Sequence, residues 1–458
     1  MSSDVAAPTV PTVAPDAPPS ILSPAYRATT IGMVALVSLH AFEALAVAAA
    51  MPTVAHDLNG LRLYALAFGG TLATSVIGMT LAGRWSDQQG PARPLWLGLG
   101  CFIAGLLLAG LAQHMAVLVL GRLLQGLGAG AISVALYVLV GRTFPEAMRP
   151  RVFAAFSAGW VVPSLIGPAI SGLIVQHVGW RWVFLAVPVL AIPAALLLRP
   201  ALREVRALDS APAAPTTHVV RWAVGASFGA LLLYVGGQQV GWQAAALLVP
   251  ALALLAVCSW RLLPPGTLRL RRGLPSVIAL RGIAAAAFFG CEAFLPLLLQ
   301  RERGLSPLLA GVALSMGALG WFSGSWFQGH QRHGWSRRQL LHVGALLMCG
   351  GIIATSLTLQ PGVPLWLALA GWTLTGLGMG LIYPSLSLLT LSLSPPAQQG
   401  ANTSALQLSE ALGVATTLAV SGSLFALLLN TDVTLGYLLI FAIMLLLAAA
   451  SVVVARRV

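Results

Sequence analysis

The chain has 458 residues, of which 58% are hydrophobic and only 8% charged, with a mean hydropathy of +0.88. Soluble globular domains carry about 25% charged residues, so a water-soluble core is excluded, and the lack of long alternating segments excludes a transmembrane barrel. The net charge of +13 comes entirely from arginine, and these arginines lie between apolar runs, not in a patch interleaved with aromatics, which speaks against nucleic acid as a partner.

Residues 1–27 form the first segment. They are rich in Pro, Ala, Ser and Thr, and read as a disordered cytoplasmic tail. No basic region precedes the first apolar run, so no cleaved signal peptide is expected. From residue 28 onward, apolar runs of about 20 residues recur, the length that spans a bilayer as a helix. They are expected at 28–50, 62–83, 95–113, 115–140, 150–176 and 180–199, then at 221–240 and 242–263. A last group follows at 276–300, 305–328, 338–359, 364–392, 397–428 and 432–455.

With the N-terminus in the cytoplasm, most arginines fall on the inner side, including Arg27, Arg84, Arg93, Arg142, Arg206, Arg281 and Arg332. Arg62, Arg181, Arg301 and Arg303 fall outside, and Arg122 lies within a span. That asymmetry is what the positive-inside rule requires. It predicts a multi-pass protein of the cell membrane with both termini cytoplasmic.

The chain also repeats itself. "GRLLQGLGAG" at 121–130 returns as "GWTLTGLGMG" at 371–380, and Glu43 returns as Glu292. Two related halves would give this pattern. The expected fold is therefore an all-α polytopic membrane protein of fourteen transmembrane helices, with two pseudo-symmetric six-helix bundles at 28–199 and 276–458. Residues 200–275 supply a linker with two additional spans.

Ionisable residues in mid-membrane cost about 2.5–3.5 kcal/mol or more, and are rarely there without use. Glu43, Glu292 and Glu410 qualify, and counting from the inner span ends places them in one layer near the midplane. Arg122 lies at the depth of Glu43, so these two can pair. Burial lets a carboxyl gain and lose a proton near working pH, and Glu43, Arg122, Glu292 and Glu410 are the candidate proton-coupling residues. Thr403, Gln407, Glu410 and Thr417 share one helical face, which should look into a cavity. His40, Gln125, Thr403, Gln407 and Tyr383 are the candidate cavity residues.

Four stretches carry a family resemblance. The segment 83–93, with Gly83, Asp87, Gly90 and Arg93, resembles the signature loop of the major facilitator superfamily, although Gln88 and Pro91 stand where basic residues are usual. Arg122, Gln125, Gly126 and Gly128 resemble its R-x-x-Q-G-x-G stretch. Gly159, Pro163, Gly167, Pro168 and Gly172 resemble the glycine-proline motif of its antiporters. "FEALAVAAAMPTVAHDL" resembles the first span of its fourteen-span drug:proton antiporter branch, with Glu43 in place of the usual Asp.

The resemblance implies that Asp87 latches the halves together against Arg142 and the start of the 397–428 span. It implies that the 150–176 span packs tightly against the other half. It also implies export of lipophilic, often cationic, small molecules in exchange for protons. A dedicated exporter of one metabolite or lipid, or a proton-coupled importer, stays open. No phosphate-cradling loop or hydrolase motif marks an enzyme. The four cysteines lie in apolar runs without metal spacing, so no metal and no cofactor beyond the proton is expected. The expected partners are a small-molecule substrate and the lipid bilayer, and the chain is expected to act as a monomer.

Overall fold

The computed structural model describes residues 20–60, 63–205, 217–237, 239, 241–305, 307–330, 334–428 and 432–458. Among them every regular element is helical. The first set is α1 (Arg27–Asp57), α2 (Tyr64–Gln89), α3 (Ala92–Gly110), α4 (Met115–Thr143), α5 (Arg149–His177) and α6 (Arg181–Leu196). A short α7 (Arg199–Glu204) and a hairpin of α8 (Thr217–Gly236) and α9 (Trp242–Leu262) follow. The second set is α10 (Leu274–Arg301), α11 (Pro307–His330), α12 (Arg337–Leu357), α13 (Leu365–Leu393), α14 (Gln399–Leu428) and α15 (Val433–Ala455). Among the described residues, ten helices are long and apolar enough to cross a membrane, or eleven if the pair bent by 120° at the α5–α6 junction counts as one span. The chain is thus a multi-pass membrane protein.

Buried apolar side chains fall mainly into two clusters. One draws chiefly on α1–α6. The other draws on α10–α15, with α8 and α9 packed against it. Glycine sets the spacing inside each. A Cβ on Gly126 would lie 2.1 Å from the Thr71 carbonyl oxygen, and one on Gly376 would lie 2.0 Å from that of Gly317. Only a residue without a side chain permits such approach. The same pairing recurs at Gly128–Gly98 and Gly378–Gly344, where a Cβ would meet the partner carbonyl at 2.4 and 2.3 Å. So α4 is gripped between α2 and α3, and α13 between α11 and α12, by matching contacts.

The hairpin α8–α9 leans on both sets. The Tyr234 ring occupies the space in front of Gly69 of α2, and Gly237, just beyond α8, faces Ala419 of α14. The chain's described ends lie together. Tyr26 stacks on Phe144 at the end of α4, with ring centroids 5.1 Å apart. The Gly273 amide, at the start of α10, donates to the Arg457 carbonyl at 3.0 Å. This face is termed the termini end below.

Residues 1–19 of the expected tail, and the arginines at 62, 206 and 332, lie outside the described residues. The last part of that tail is folded: Thr30 Oγ1 donates to the Ile21 carbonyl at 2.7 Å, and Arg27 already belongs to α1.

Candidate functional site

Two ion pairs lie inside the helix bundle. In the first, Arg122 of α4 projects from the glycine-lined face that packs on α2. Its Nη1 donates to Glu43 Oε1 of α1 and, at 2.9 Å, to Gln125 Oε1. Its Nε donates to the Ala67 carbonyl of α2 at 3.1 Å. Glu43 is 2% exposed and Arg122 5%. A charge so far from water is tolerable only when its partners are close and its remaining protons are bonded. Glu43 meets the first condition, and Gln125 and the Ala67 carbonyl take two further guanidinium protons. His40, one turn before Glu43, sits edge-on to Phe102 and Trp160, and its buried Nδ1 has no hydrogen-bond partner.

The second pair was not anticipated. Arg281 of α10 is wholly buried, and its Nε donates to Glu410 Oε2 of α14 at 2.7 Å. Its Nη1 donates to the Tyr383 carbonyl and to Ser387 Oγ of α13, each at 3.2 Å. Its Cζ lies 3.0 Å from the Tyr383 ring centroid, and the Tyr383 hydroxyl donates to Glu410. Sequence reasoning placed Arg281 among the inner flanking arginines, because it is seven residues from the start of α10. The available signal was that it follows an unbroken apolar stretch from Val277 to Leu280. Among the described residues the bundle therefore holds two buried arginines, not the one expected.

The carboxylates do not share a layer. Arg281 and Glu292 lie eleven residues apart on α10, about 16 Å along the axis. Glu410, held by Arg281, is therefore displaced from Glu292 toward the termini end. Glu292 is half-buried, and among the described residues it makes no hydrogen bond or ion pair. Nor do the expected cavity residues gather at one place. Gln125 and His40 lie by the Glu43–Arg122 pair. Tyr383 lies by the other pair, and Gln407, one turn before Glu410, accepts from Ser133 of α4. Thr403 is buried, and its hydroxyl has no hydrogen-bond partner. Ser133 is eleven residues beyond Arg122, so this contact between the two helix sets is about 16 Å nearer the termini end than the first pair.

At the termini end itself, α2 and α14 cross backbone to backbone, with a Gly400 Cβ placed 2.1 Å from the Gly83 carbonyl oxygen. Asp87 lies in the last turn of α2, not in the following loop as expected. Its Oδ1 accepts from the Gly400 amide at 2.6 Å and its Oδ2 from the Ala401 amide at 2.8 Å. A carboxylate on the first amides of a helix is favoured by their orphan N–H groups and by the helix dipole. Burial nonetheless pushes the Asp87 carboxyl up to about 6, against the opposing pull of those amides and of Arg142 and Arg84. Arg142 donates to the neighbouring Ser86 carbonyl at 2.8 Å. Gly90 ends α2 with φ of 82°, in the left-handed region glycine favours. Arg93 turns to Gln89 and to the Trp85 ring.

The stripe on α5 differs from expectation. Gly159 and Gly167 face α1 of the same helix set, and nothing lies within 4 Å of a Cβ placed on Gly172. Pro163 is buried, and the side chain of Pro168 lies outside the described residues. As a whole α5 does pack on the other set, chiefly on α11, and near its start Ala154 and Pro150 approach Gly329 there.

Comparison with known proteins gives a consistent neighbourhood. Residues 33–417 match the Major Facilitator Superfamily. The chain is 30% identical over 405 residues to a probable multidrug-efflux transporter of Mycobacterium tuberculosis, covering 83% of this chain and 84% of that one. It is 28% identical over 417 residues to a probable actinorhodin transporter of Streptomyces coelicolor, covering 84% and 70%. Among solved structures, it superposes on the human organic anion transporter MFSD10 with a TM-score of 0.69 at 16% identity, covering 93% of this chain and 99% of that one.

Proposed function

The chain belongs to the Major Facilitator Superfamily and is a transporter; on that premise we propose that it exports lipophilic, often cationic, small molecules in exchange for protons. The observation that carries this reading is the Glu43–Arg122 pair, an acid and a base sealed among α1, α2 and α4. Protonating Glu43 removes its charge and so its strong attraction for Arg122 in a medium of low dielectric. Arg122 keeps the Ala67 carbonyl and Gln125 as partners, so it can stay in place while its hold on α1 weakens. A proton on Glu43 then loosens α1 from α4, which couples proton entry to rearrangement of the first helix set. Glu410, bonded to Arg281 where α4 meets α14, is the matching proton acceptor toward the termini end.

In this reading the arginine-rich termini end is cytoplasmic, fourteen helices span the membrane, and two six-helix bundles rock about a central cavity as a monomer. Asp87 on the α14 amides, with Gly83 against Gly400, is the latch that keeps the cytoplasmic side shut. No cofactor beyond the proton is needed. Export of drugs is favoured by the likeness to the mycobacterial multidrug-efflux protein. A second reading, export of one dedicated metabolite, is favoured by the likeness to the actinorhodin transporter. The experiment is transport in proteoliposomes under an imposed pH gradient. A gradient that drives accumulation of a lipophilic cationic dye supports proton exchange, and indifference to the gradient refutes it. A substrate panel in an export-deficient strain separates the two cargo readings, and the direction of flux excludes or reveals import.

A further inference from the structure

The two repeats differ at one place that bears on cargo. Residues 121–130 of α4 correspond to 371–380 of α13, so Trp372 stands where Arg122 stands. The correspondence extends to bonding. Arg122 Nε donates to the Ala67 carbonyl of α2 at 3.1 Å, and Trp372 Nε1 donates to the Leu314 carbonyl of α11 at 3.1 Å. Glu292 lies 249 residues after Glu43 and occupies the matching region of α10. The first repeat thus supplies its acid with an internal cation. The second keeps the acid and replaces the cation with an indole. Glu292 is left half-buried without an ion pair or hydrogen bond among the described residues.

The turn of α10 that precedes it is aromatic. One turn before Glu292, Phe288 stacks on Trp372 with centroids 4.8 Å apart and meets Trp321 of α11 edge-on at 5.0 Å. Phe289 adjoins Trp321 at 6.1 Å, and Trp321 adjoins Tyr383 at 5.0 Å. Phe288 and Trp372 form a buried floor, while Phe289, Trp321 and Tyr383 stay partly open. An uncompensated acid beside aromatic faces attracts a cation with delocalised or shielded charge. The carboxylate supplies the charge term, and the rings supply cation–π and dispersion terms.

Resting on the transport reading above, we infer that Glu292 and the neighbouring Phe289 and Trp321 rings form the subsite for a lipophilic organic cation, which supplies the positive charge that Arg122 supplies in the first repeat. A neutral molecule of the same shape gains the ring contacts alone. The subsite therefore discriminates by charge through one residue.

The test uses the purified full chain at equilibrium, with no gradient, and two probes. These are tetraphenylphosphonium and the uncharged triphenylphosphine oxide. Glu292→Gln is expected to weaken tetraphenylphosphonium binding by at least about tenfold and leave the neutral probe within about twofold, while Glu292→Asp stays close to wild type. Carbodiimide labelling of Glu292 in the wild-type chain, read by peptide mass spectrometry, is expected to be blocked by tetraphenylphosphonium and not by the neutral probe; it needs no variant to fold. Equal cation affinity in Glu292→Gln, unprotected labelling, or no cation binding by wild type would each overturn the subsite. Failure of proton-driven transport with Glu292-dependent binding intact would count against proton exchange and leave the subsite standing.

Discussion

Arg281 and Glu410 are joined at 2.7 Å with the arginine wholly buried, and Tyr383 closes both over, its ring beneath the guanidinium and its hydroxyl on the carboxylate. This couples α10, α13 and α14 at the level where α14 bonds across to α4. Removing one partner strands a buried charge. Arg281→Ala is expected to destabilise the protein by about 3–5 kcal/mol, whereas Arg281→Met with Glu410→Leu should recover most of that. Thermal unfolding in detergent checks both. Equal melting temperatures for the single and double variants would show that the pair does not act as a unit.

Glu43→Gln should separate proton coupling from passage. Gradient-driven export is expected to fall by at least about tenfold, while substrate exchange without a gradient continues, since the amide keeps a hydrogen bond to Arg122 but cannot titrate. Proteoliposome flux with and without a pH gradient measures the two.

Asp87→Ala removes both acceptors from the Gly400 and Ala401 amides and should open the termini end. Leaving two buried donors unpaired costs about 1–3 kcal/mol each, enough to shift an equilibrium tenfold or more. Spin-label distances between the ends of α2 and α14 would report the change, and an unaltered distance distribution would remove Asp87 from the latch.

The pH response of that latch has a definite sign. The Asp87 carboxyl is raised to about 6 when closed, chiefly by burial, above its ordinary 3.8 when solvated. The closed form therefore binds a proton more tightly, and acidification from pH 7 toward 4 favours closure, while raising the pH through 6 removes that contribution. Asp87→Asn should flatten this dependence. The same spin-label distances, recorded across that range, check it.

Glycine substitutions should sort by available space. Gly376→Ala and Gly126→Ala place a methyl about 2 Å from a backbone carbonyl and should abolish folded protein, while Gly167→Ala, with 3.6 Å to Phe42, should be tolerated. Yield of monodisperse protein distinguishes them.

Much of this is legible in the sequence, for physical reasons. Helix positions follow from apolar runs, and the meeting of Glu43 with Arg122 follows from equal depth on neighbouring spans. The place of Asp87 against the start of α14 came instead from a resembling motif. What failed was counting depth from span ends. A span's ends fix its length but not its position relative to a tilted neighbour, so Glu292 and Glu410 were put in one layer. Arg281 was missed because a basic residue near a helix start has two destinations, water or a partner acid, and only packing decides. Gly159 and Gly167 of α5 were assigned to the wrong neighbour for the same reason: a bare stripe shows that something comes close, not which helix it is.

The carbonyl-to-glycine seams have a mechanical consequence. Where two backbones touch without side chains between them, there is nothing compliant to slide, so α2, α3 and α4 tilt as one slab, and α11, α12 and α13 as another. The first slab meets α14 at a few bonded contacts, such as Ser133 with Gln407 and Asp87 with the α14 amides. In the exchange reading proposed above, a few polar contacts of this kind, not a diffuse softness of the whole molecule, would set how fast the two walls swing.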